Sequence, residues 1–170
     1  MPHTTRRHPH VVNHAEVEAV LQRSPDERFL LQRKKLGEAA GGRKLGCSLI
    51  DLPPGKRSWP FHCHLANEEA IFVLEGNGTL RIGDREVGVG PGDYFAFPPG
   101  VETAHQMTNT SNAPLRYLCI STMIAPEVTL YPDSDKIGVL AGVAPGGPPD
   151  PQALRCFLPR GAAVDYWEGE

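Results

Sequence analysis

The chain has 170 residues and a mass of 18.5 kDa, which corresponds to one ordinary domain built around a single core. Its 17 basic and 20 acidic side chains give a net charge of −3 without a long basic run, so neither a nucleic-acid partner nor a membrane surface is expected. Hydrophobic residues make up 40% and charged residues 22%, which supplies a packed interior and argues against wholesale disorder.

The targeting signals of exported and membrane proteins are missing from the sequence. The longest uninterrupted apolar stretch, residues 70–74, is far shorter than the roughly 20 residues of a membrane-spanning helix. The first fourteen residues are rich in Arg and His and contain no hydrophobic run of the kind found in a secretory signal peptide. Four cysteines are spread along the chain without a C-x-x-C pair, which indicates reduced thiols. We therefore expect a cytoplasmic protein.

The first 44 residues are predicted to form an N-terminal arm. Apolar residues at helical spacing, Val17, Val20 and Leu21, predict at most one short helix within residues 12–23, because Pro25 ends the pattern.

Residues 45–123 are predicted to form an all-β barrel of the jelly-roll type. The 18 glycines and 17 prolines separate short apolar runs from one another, which favours many strands over long helices. The expected strands are residues 45–52, 58–64, 69–74, 79–82, 86–89, 93–97, 105–108 and 115–122. Eight strands at this spacing are typical of a jelly roll.

Residues 124–170 are rich in Pro and Gly and are predicted to form a C-terminal extension that packs as an irregular arm on the barrel. Several strands, such as residues 71–74, carry apolar side chains at both alternating positions, so both of their faces need cover. The two arms would supply part of this cover. A second subunit would supply the rest, and we expect a homodimer.

The clearest chemical signal is the segment His62-Cys63-His64. Side chains alternate along a strand, so both imidazoles would point to one face and Cys63 to the other. Glu68 and Glu69 follow before the next strand, and His105 begins a later strand. Three imidazoles and one carboxylate could therefore converge inside one barrel.

These residues stand in two motifs that resemble those of the cupin family. The first motif is Gly55, His62, His64, Glu69 and Gly76, and the second is Gly92, Pro98, Gly100, His105 and Asn109. One extra residue before His62 and two between Gly100 and His105 fall in turns, so they lengthen loops only. The chain ends are also similar to a group of small bacterial single-domain cupins of unassigned activity.

The resemblance implies a double-stranded β-helix barrel in which His62, His64, Glu69 and His105 bind one divalent transition metal. It selects Glu69 over Glu68, and strand alternation agrees, since Glu69 shares a face with Ile71 and Val73.

Four such ligands leave two open positions on an octahedral Fe, Mn or Ni ion, whereas they would close a tetrahedral Zn site. The identity of the metal is therefore left open among Fe, Mn, Ni and Zn. A second metal site at His3, His8, His10 and His14 is the weaker candidate, because a chain terminus seldom holds a fixed geometry.

The function expected from this site is metal-dependent chemistry on a small organic molecule, with dioxygenase-like chemistry favoured. Every carboxylate and lysine other than Glu69 is assigned to a turn, an outward strand position or an arm, and oxygen chemistry needs no further acid or base. The alternatives are a non-catalytic protein that binds a sugar, carboxylate or hormone-like ligand, and a sugar-phosphate isomerase. The isomerase ranks lower because it needs a base and a cation for the phosphate. Lys56 and Arg57, which precede the histidine strand, are weak candidates for that cation.

Overall fold

The computed structural model describes residues 8–170, which consist almost entirely of strands. The strands are β1 (Val20–Arg23), β2 (Leu30–Lys35), β3 (Leu45–Leu52), β4 (Cys63–His64), β5 (Glu69–Glu75), β6 (Gly78–Ile82), β7 (Arg85–Val89), β8 (Tyr94–Phe97), β9 (His105–Thr108), β10 (Leu115–Thr122), β11 (Glu127–Tyr131), β12 (Lys136–Ala141) and β13 (Leu154–Pro159). The helical segments are α1 (Leu36–Ala39) and the 3-10 turns His14–Glu16, Val101–Thr103, Pro132–Ser134 and Arg160–Ala162. Over residues 8–170, no helix is long and apolar enough to span a membrane.

The described strands form three sheets in which neighbouring strands run antiparallel. The largest sheet has the order β1-β2-β3-β10-β5-β8, the second β13-β12-β11-β4 and the third β7-β6-β9. Strands distant in sequence are neighbours, as in the pairing of β10 with both β3 and β5. The predicted all-β jelly roll, a double-stranded β-helix barrel, is therefore confirmed.

Strand alternation places the core. On β10, Leu115, Tyr117 and Cys119 are buried while the residues between them are half-exposed. On β5, Ile71 and Val73 point inward. These side chains belong to one apolar cluster that fills the barrel, and this cluster fixes the faces on which the polar site residues must lie.

Two expectations for the chain ends are wrong. The short helix predicted within residues 12–23 is a 3-10 turn, His14–Glu16, followed by strand β1, because pairing with β2 outweighs the helical spacing of three apolar residues. The C-terminal arm is not irregular, since β11, β12 and β13 pair in register within the second sheet. The strand expected over residues 58–64 is restricted to Cys63–His64, since Pro60 cannot donate a ladder hydrogen bond.

Both extensions join the sheets of the barrel. Strand β2 pairs with β3, and β11 pairs with β4, the strand that carries His64. The division into an arm over residues 1–44, a barrel over 45–123 and an extension over 124–170 stays a prediction. The pairing nevertheless brings side chains of both extensions next to the barrel interior.

Candidate metal centre

Backbone pairing brings His62 and His105 together. The N–H of each residue donates to the carbonyl of the other, with N to O distances of 3.2 and 2.8 Å. The two ring centroids lie 4.7 Å apart, and the His64 ring lies 5.0 Å from that of His62. All three side chains are buried, so the three imidazoles share one space inside the barrel.

Glu69 lies among these imidazoles. Its Oε1 is 3.3 Å from His105 Nε2, and its Oε2 is 3.4 Å from His64 Nε2. One ligand atom from each of His62, Glu69 and His105 can be chosen so that all lie within 4.8 Å of one another. His64 is outside that set but contacts Glu69. Glu68 is exposed and takes no part.

Backbone carbonyls orient two of the imidazoles. His62 Nδ1 lies 2.8 Å from the Pro60 carbonyl oxygen, and His105 Nδ1 lies 3.0 Å from that of Thr103. A carbonyl only accepts, so Nδ1 of each ring carries the proton and donates it. The Nε2 lone pair of His62 is then free to bind a metal ion, and His105 Nε2 faces Glu69 Oε1.

The protonation states suit a divalent cation. Burial raises the pKa of Glu69, but His105 and His64 lower it well below its ordinary value, so this carboxylate is ionised. Burial, together with the charge of His105, lowers the pKa of His62 to about 3, which leaves that ring neutral. Burial lowers the pKa of His64 as well, but Glu127 and Glu69 raise it to about 9.

His64 therefore holds a proton between two carboxylates when no other cation is bound. Both of its ring nitrogens are buried without a hydrogen-bond partner among residues 8–170. A metal ion could replace that proton, since metal ligands must be deprotonated. The residues present fit a divalent metal, which would be held by His62, His64, Glu69 and His105.

Glu127, on β11, is the carboxylate behind His64. Its side chain is fully buried, and its Oε2 lies 3.4 Å from His64 Nδ1. Its oxygens accept the backbone N–H groups of Leu65, Ala66 and Asn67, and the Asn67 side-chain amide donates to it as well. Burial raises the pKa of Glu127, but His64 and Asn67 lower it to about 2. A buried carboxylate fixed in this way orients the imidazole that binds a metal.

His62, His64 and Glu69 open onto a cavity of about 470 Å³. Its lining includes side chains from both extensions, among them Arg33 of β2, Tyr131 of β11 and Arg155 of β13. The Tyr131 ring stacks against that of His62, with centroids 6.0 Å apart. Glu69 is the one carboxylate among the described lining residues. A molecule in this space would meet the metal ligands on one side and guanidinium groups on another.

The sequence-based candidates can now be placed. The barrel brings His62, His64, Glu69 and His105 together, as the motifs predict. Glu127, Arg33 and Arg155 were missed, because they lie in the extensions and only strand pairing brings Glu127 next to His64 and the two arginines to the cavity wall. Lys56 and Arg57 are not among the described lining residues, and Lys56 Nζ donates instead to the Glu27 carbonyl, at 3.0 Å.

The N-terminal histidines do not form a second cluster within the described chain. His3 lies outside the described residues. His10 Nδ1 is 2.8 Å from the Ala40 carbonyl oxygen, and the His8 and His10 rings lie 5.3 Å apart on the surface. Over residues 8–170, the group His62, Glu69 and His105 is the only one whose ligand atoms converge closely enough for a metal ion.

The central part of the chain matches a known domain family. Residues 48–121 match the Cupin_2 family of cupin domains. An uncharacterized protein of Methanocaldococcus jannaschii is 34% identical over 70 residues, which is 41% of this chain and 54% of that protein. The matched region thus spans about half the length of this relative.

Two solved structures are similar over nearly the whole chain. One is a proposed sugar phosphate isomerase of Acidithiobacillus ferrooxidans, with a TM-score of 0.77 and 25% identity, covering 92% of this chain and 96% of its own. The other is a cupin-superfamily sugar phosphate isomerase of Silicibacter pomeroyi, with a TM-score of 0.76 and 25% identity, covering 90% and 94%. Both similarities extend through the two extensions as well as the barrel.

Proposed function

Since residues 48–121 match the Cupin_2 family of cupin domains, we propose that the protein is a metal-dependent enzyme that isomerises a small sugar phosphate inside its barrel. The observation that carries this proposal is the composition of one cavity, in which Arg33 and Arg155 lie with the histidine and glutamate cluster. The two similar sugar phosphate isomerases support the same reaction class.

The cavity contents revise the ranking of reaction types. The sequence favours dioxygenase-like chemistry because that chemistry needs no further acid or base, whereas an isomerase needs a base and a cation for the phosphate. Arg33 and Arg155 supply the cation, because guanidinium groups suit phosphate oxygens. The metal, whether Mn, Fe, Ni or Zn, would be held by His62, His64 and Glu69 with His105, and would polarise a carbonyl or hydroxyl oxygen of the sugar.

Tyr131 is placed to contact the sugar itself. It lines the cavity beside His62, and the Thr129 hydroxyl lies 3.3 Å from its Oη. Burial raises the pKa of Tyr131, although Thr129 and Arg155 lower it in part. Its hydroxyl is therefore protonated at neutral pH and can donate a hydrogen bond to a substrate oxygen.

An isomerase assay tests the proposal. The full chain would be loaded anaerobically with Mn, Fe, Ni or Zn, and a panel of aldose and ketose phosphates would be followed by ³¹P and ¹H NMR. We expect interconversion by the wild type, loss in Glu69→Gln and retention in the matched control Glu68→Gln, whose side chain is exposed.

Other results would replace the proposal. Oxygen uptake coupled to consumption of a phenol, diketone or acid, and abolished in Glu69→Gln, would establish a dioxygenase. Tight ligand binding with no turnover under any of the four metals would establish a binding protein.

We also propose that the protein is a homodimer. Edge strand β13 exposes Leu154, Phe157 and Leu158, and β5 exposes Phe72 and Leu74. Sedimentation at micromolar concentration should give twice the mass of 18.5 kDa. A species of 18.5 kDa alone would contradict the dimer. The cytoplasmic location stays a prediction.

A further inference from the structure

Arg33 carries a charge that the fold leaves uncompensated. Its guanidinium is half-buried in the cavity wall, and its Nε donates to Ser48 Oγ at 2.9 Å. No carboxylate of residues 8–170 forms an ion pair with it, and no acceptor of these residues is hydrogen-bonded to Nη1 or Nη2. A partly buried charge without a counter-ion is costly, so the free Nη groups point to an anion that the protein binds.

The backbone leaves room beside these nitrogens. Gly146 packs over the guanidinium with a φ of +70°, and a Cβ at this position would lie 2.6 Å from Nη2. Any larger residue there would occupy space at the edge of the guanidinium. The glycine thus keeps the two Nη groups accessible from the cavity.

Two serines complete the set. Ser48 and Ser58 both line the cavity and are only 3% and 6% exposed. With Arg33 they offer one guanidinium and two hydroxyls. A phosphate group, with several strong acceptor oxygens, matches this donor set, and the two terminal nitrogens of an arginine suit it in particular.

We propose that Arg33, Ser48 and Ser58 form a phosphate-binding subsite in the cavity, separate from the metal ligands. That the phosphate belongs to a sugar substrate rests on the proposed function, whereas the subsite itself is testable with inorganic phosphate. The metal ligands would then hold the reacting end of the molecule while this subsite holds its phosphate.

The first test measures inorganic phosphate binding to the Mn-loaded full chain by titration calorimetry. Arg33→Gln should weaken binding by about tenfold or more, because a charge-assisted bidentate contact is lost. Arg23→Gln is the matched control. Arg23 also lines the cavity, but it is exposed and paired with Glu27 at 3.1 Å, so phosphate affinity should be unchanged.

The metal itself could bind phosphate, and Glu69→Gln separates the two cases. This variant should lose the metal and keep its phosphate affinity. Phosphate binding that disappears in Glu69→Gln and persists in Arg33→Gln would overturn the subsite, because the anion would then be held by the metal.

Competition identifies the anion class. Sulfate should displace phosphate and acetate should displace it poorly, whereas equal displacement by acetate would make this a carboxylate site and overturn the assignment. The outcome is distinguishable from that of the isomerase assay. Phosphate binding that depends on Arg33, without sugar isomerisation, would overturn the proposed function and support the subsite.

Discussion

The barrel strands and the two extensions contribute different chemistry to one cavity. The barrel supplies the groups that can bind a metal, His62, His64, Glu69 and His105. The extensions supply Glu127 behind His64, and Arg33 and Arg155 in the cavity wall. The barrel therefore carries the reactivity that many cupins could share, and the extensions carry the charges that would select and orient a substrate. Two proteins with the same four ligands could differ in function through their extensions alone.

The largest effect is expected for the barrel. Glu69→Gln removes the one carboxylate of the cluster and leaves three imidazoles. Metal affinity should therefore fall by more than about 100-fold, which exceeds the loss expected for a residue that only orients a ligand. Metal content after purification without chelator, and competition titration with a chromophoric chelator, measure this. Equal metal content in the wild type and Glu69→Gln would contradict the ligand set.

The extension should also act on the metal through Glu127. In Glu127→Gln, the acceptor behind His64 Nδ1 loses its charge, and metal affinity should fall by about 10- to 100-fold. Glu68→Gln, an exposed change of the same kind, should have no effect. Long-range ¹H–¹⁵N NMR of the metal-loaded protein should show His64 with its proton on Nδ1. A His64 ring protonated on Nε2 would exclude this role of Glu127.

The same contrast explains what could be predicted from the sequence. Strands β3, β9 and β10 have the predicted bounds because their apolar runs end at Pro, Gly or Asn turns. The two motifs are read from local spacing, and the four candidate ligands are what their resemblance to the cupin family implies. Glu127 contacts residues about 60 positions earlier in the chain, and only the pairing of β11 with β4 brings it there. The place of Arg33 in the cavity wall could not be predicted for the same reason, since a single arginine on a short strand is typical of a solvent-exposed sheet edge.

Changing the pH of the metal-free protein should distinguish two contributions to its stability. That of His64 depends on Glu127 of the extension, and that of His62 does not. The pKa of His64 is raised from 6.5 to about 9 by Glu127 and Glu69, against the effect of burial. Its contribution to stability is therefore fully present below pH 6.5 and lost as the pH rises to about 9, at most about 3 kcal/mol. His62, whose pKa is lowered to about 3, destabilises the fold as the pH falls below 6.5.

Chemical denaturation of the chelated protein between pH 5 and pH 9.5 measures both limbs. Glu127→Gln should flatten the alkaline limb, because His64 loses one of the two carboxylates that raise its pKa. The metal-loaded protein should lack this limb, since a metal ion on Nε2 replaces the proton that His64 would otherwise lose. An alkaline limb of the same size in wild type and Glu127→Gln would assign it to another group.

The smallest effect is expected for an ion pair that only links the C-terminal extension to the barrel. Arg81 of β6 is paired with Asp133 at 2.7 Å, and both side chains are more than one-third exposed. The Arg81 guanidinium also lies over the Phe61 ring, 3.7 Å from its centroid, and keeps that contact when the carboxylate is removed. Asp133→Asn should therefore cost only about 0.2–1 kcal/mol of unfolding free energy, and the difference should shrink in 1 M salt.

Asp84→Asn, at an exposed turn position without an ion pair among the described residues, is the control. Metal and phosphate affinities should be unchanged in both variants. A loss of either affinity in Asp133→Asn would mean that the ion pair between Arg81 and Asp133 positions the cavity wall. Extension residues that bind ligands could then not be distinguished from those that only hold the sheets together.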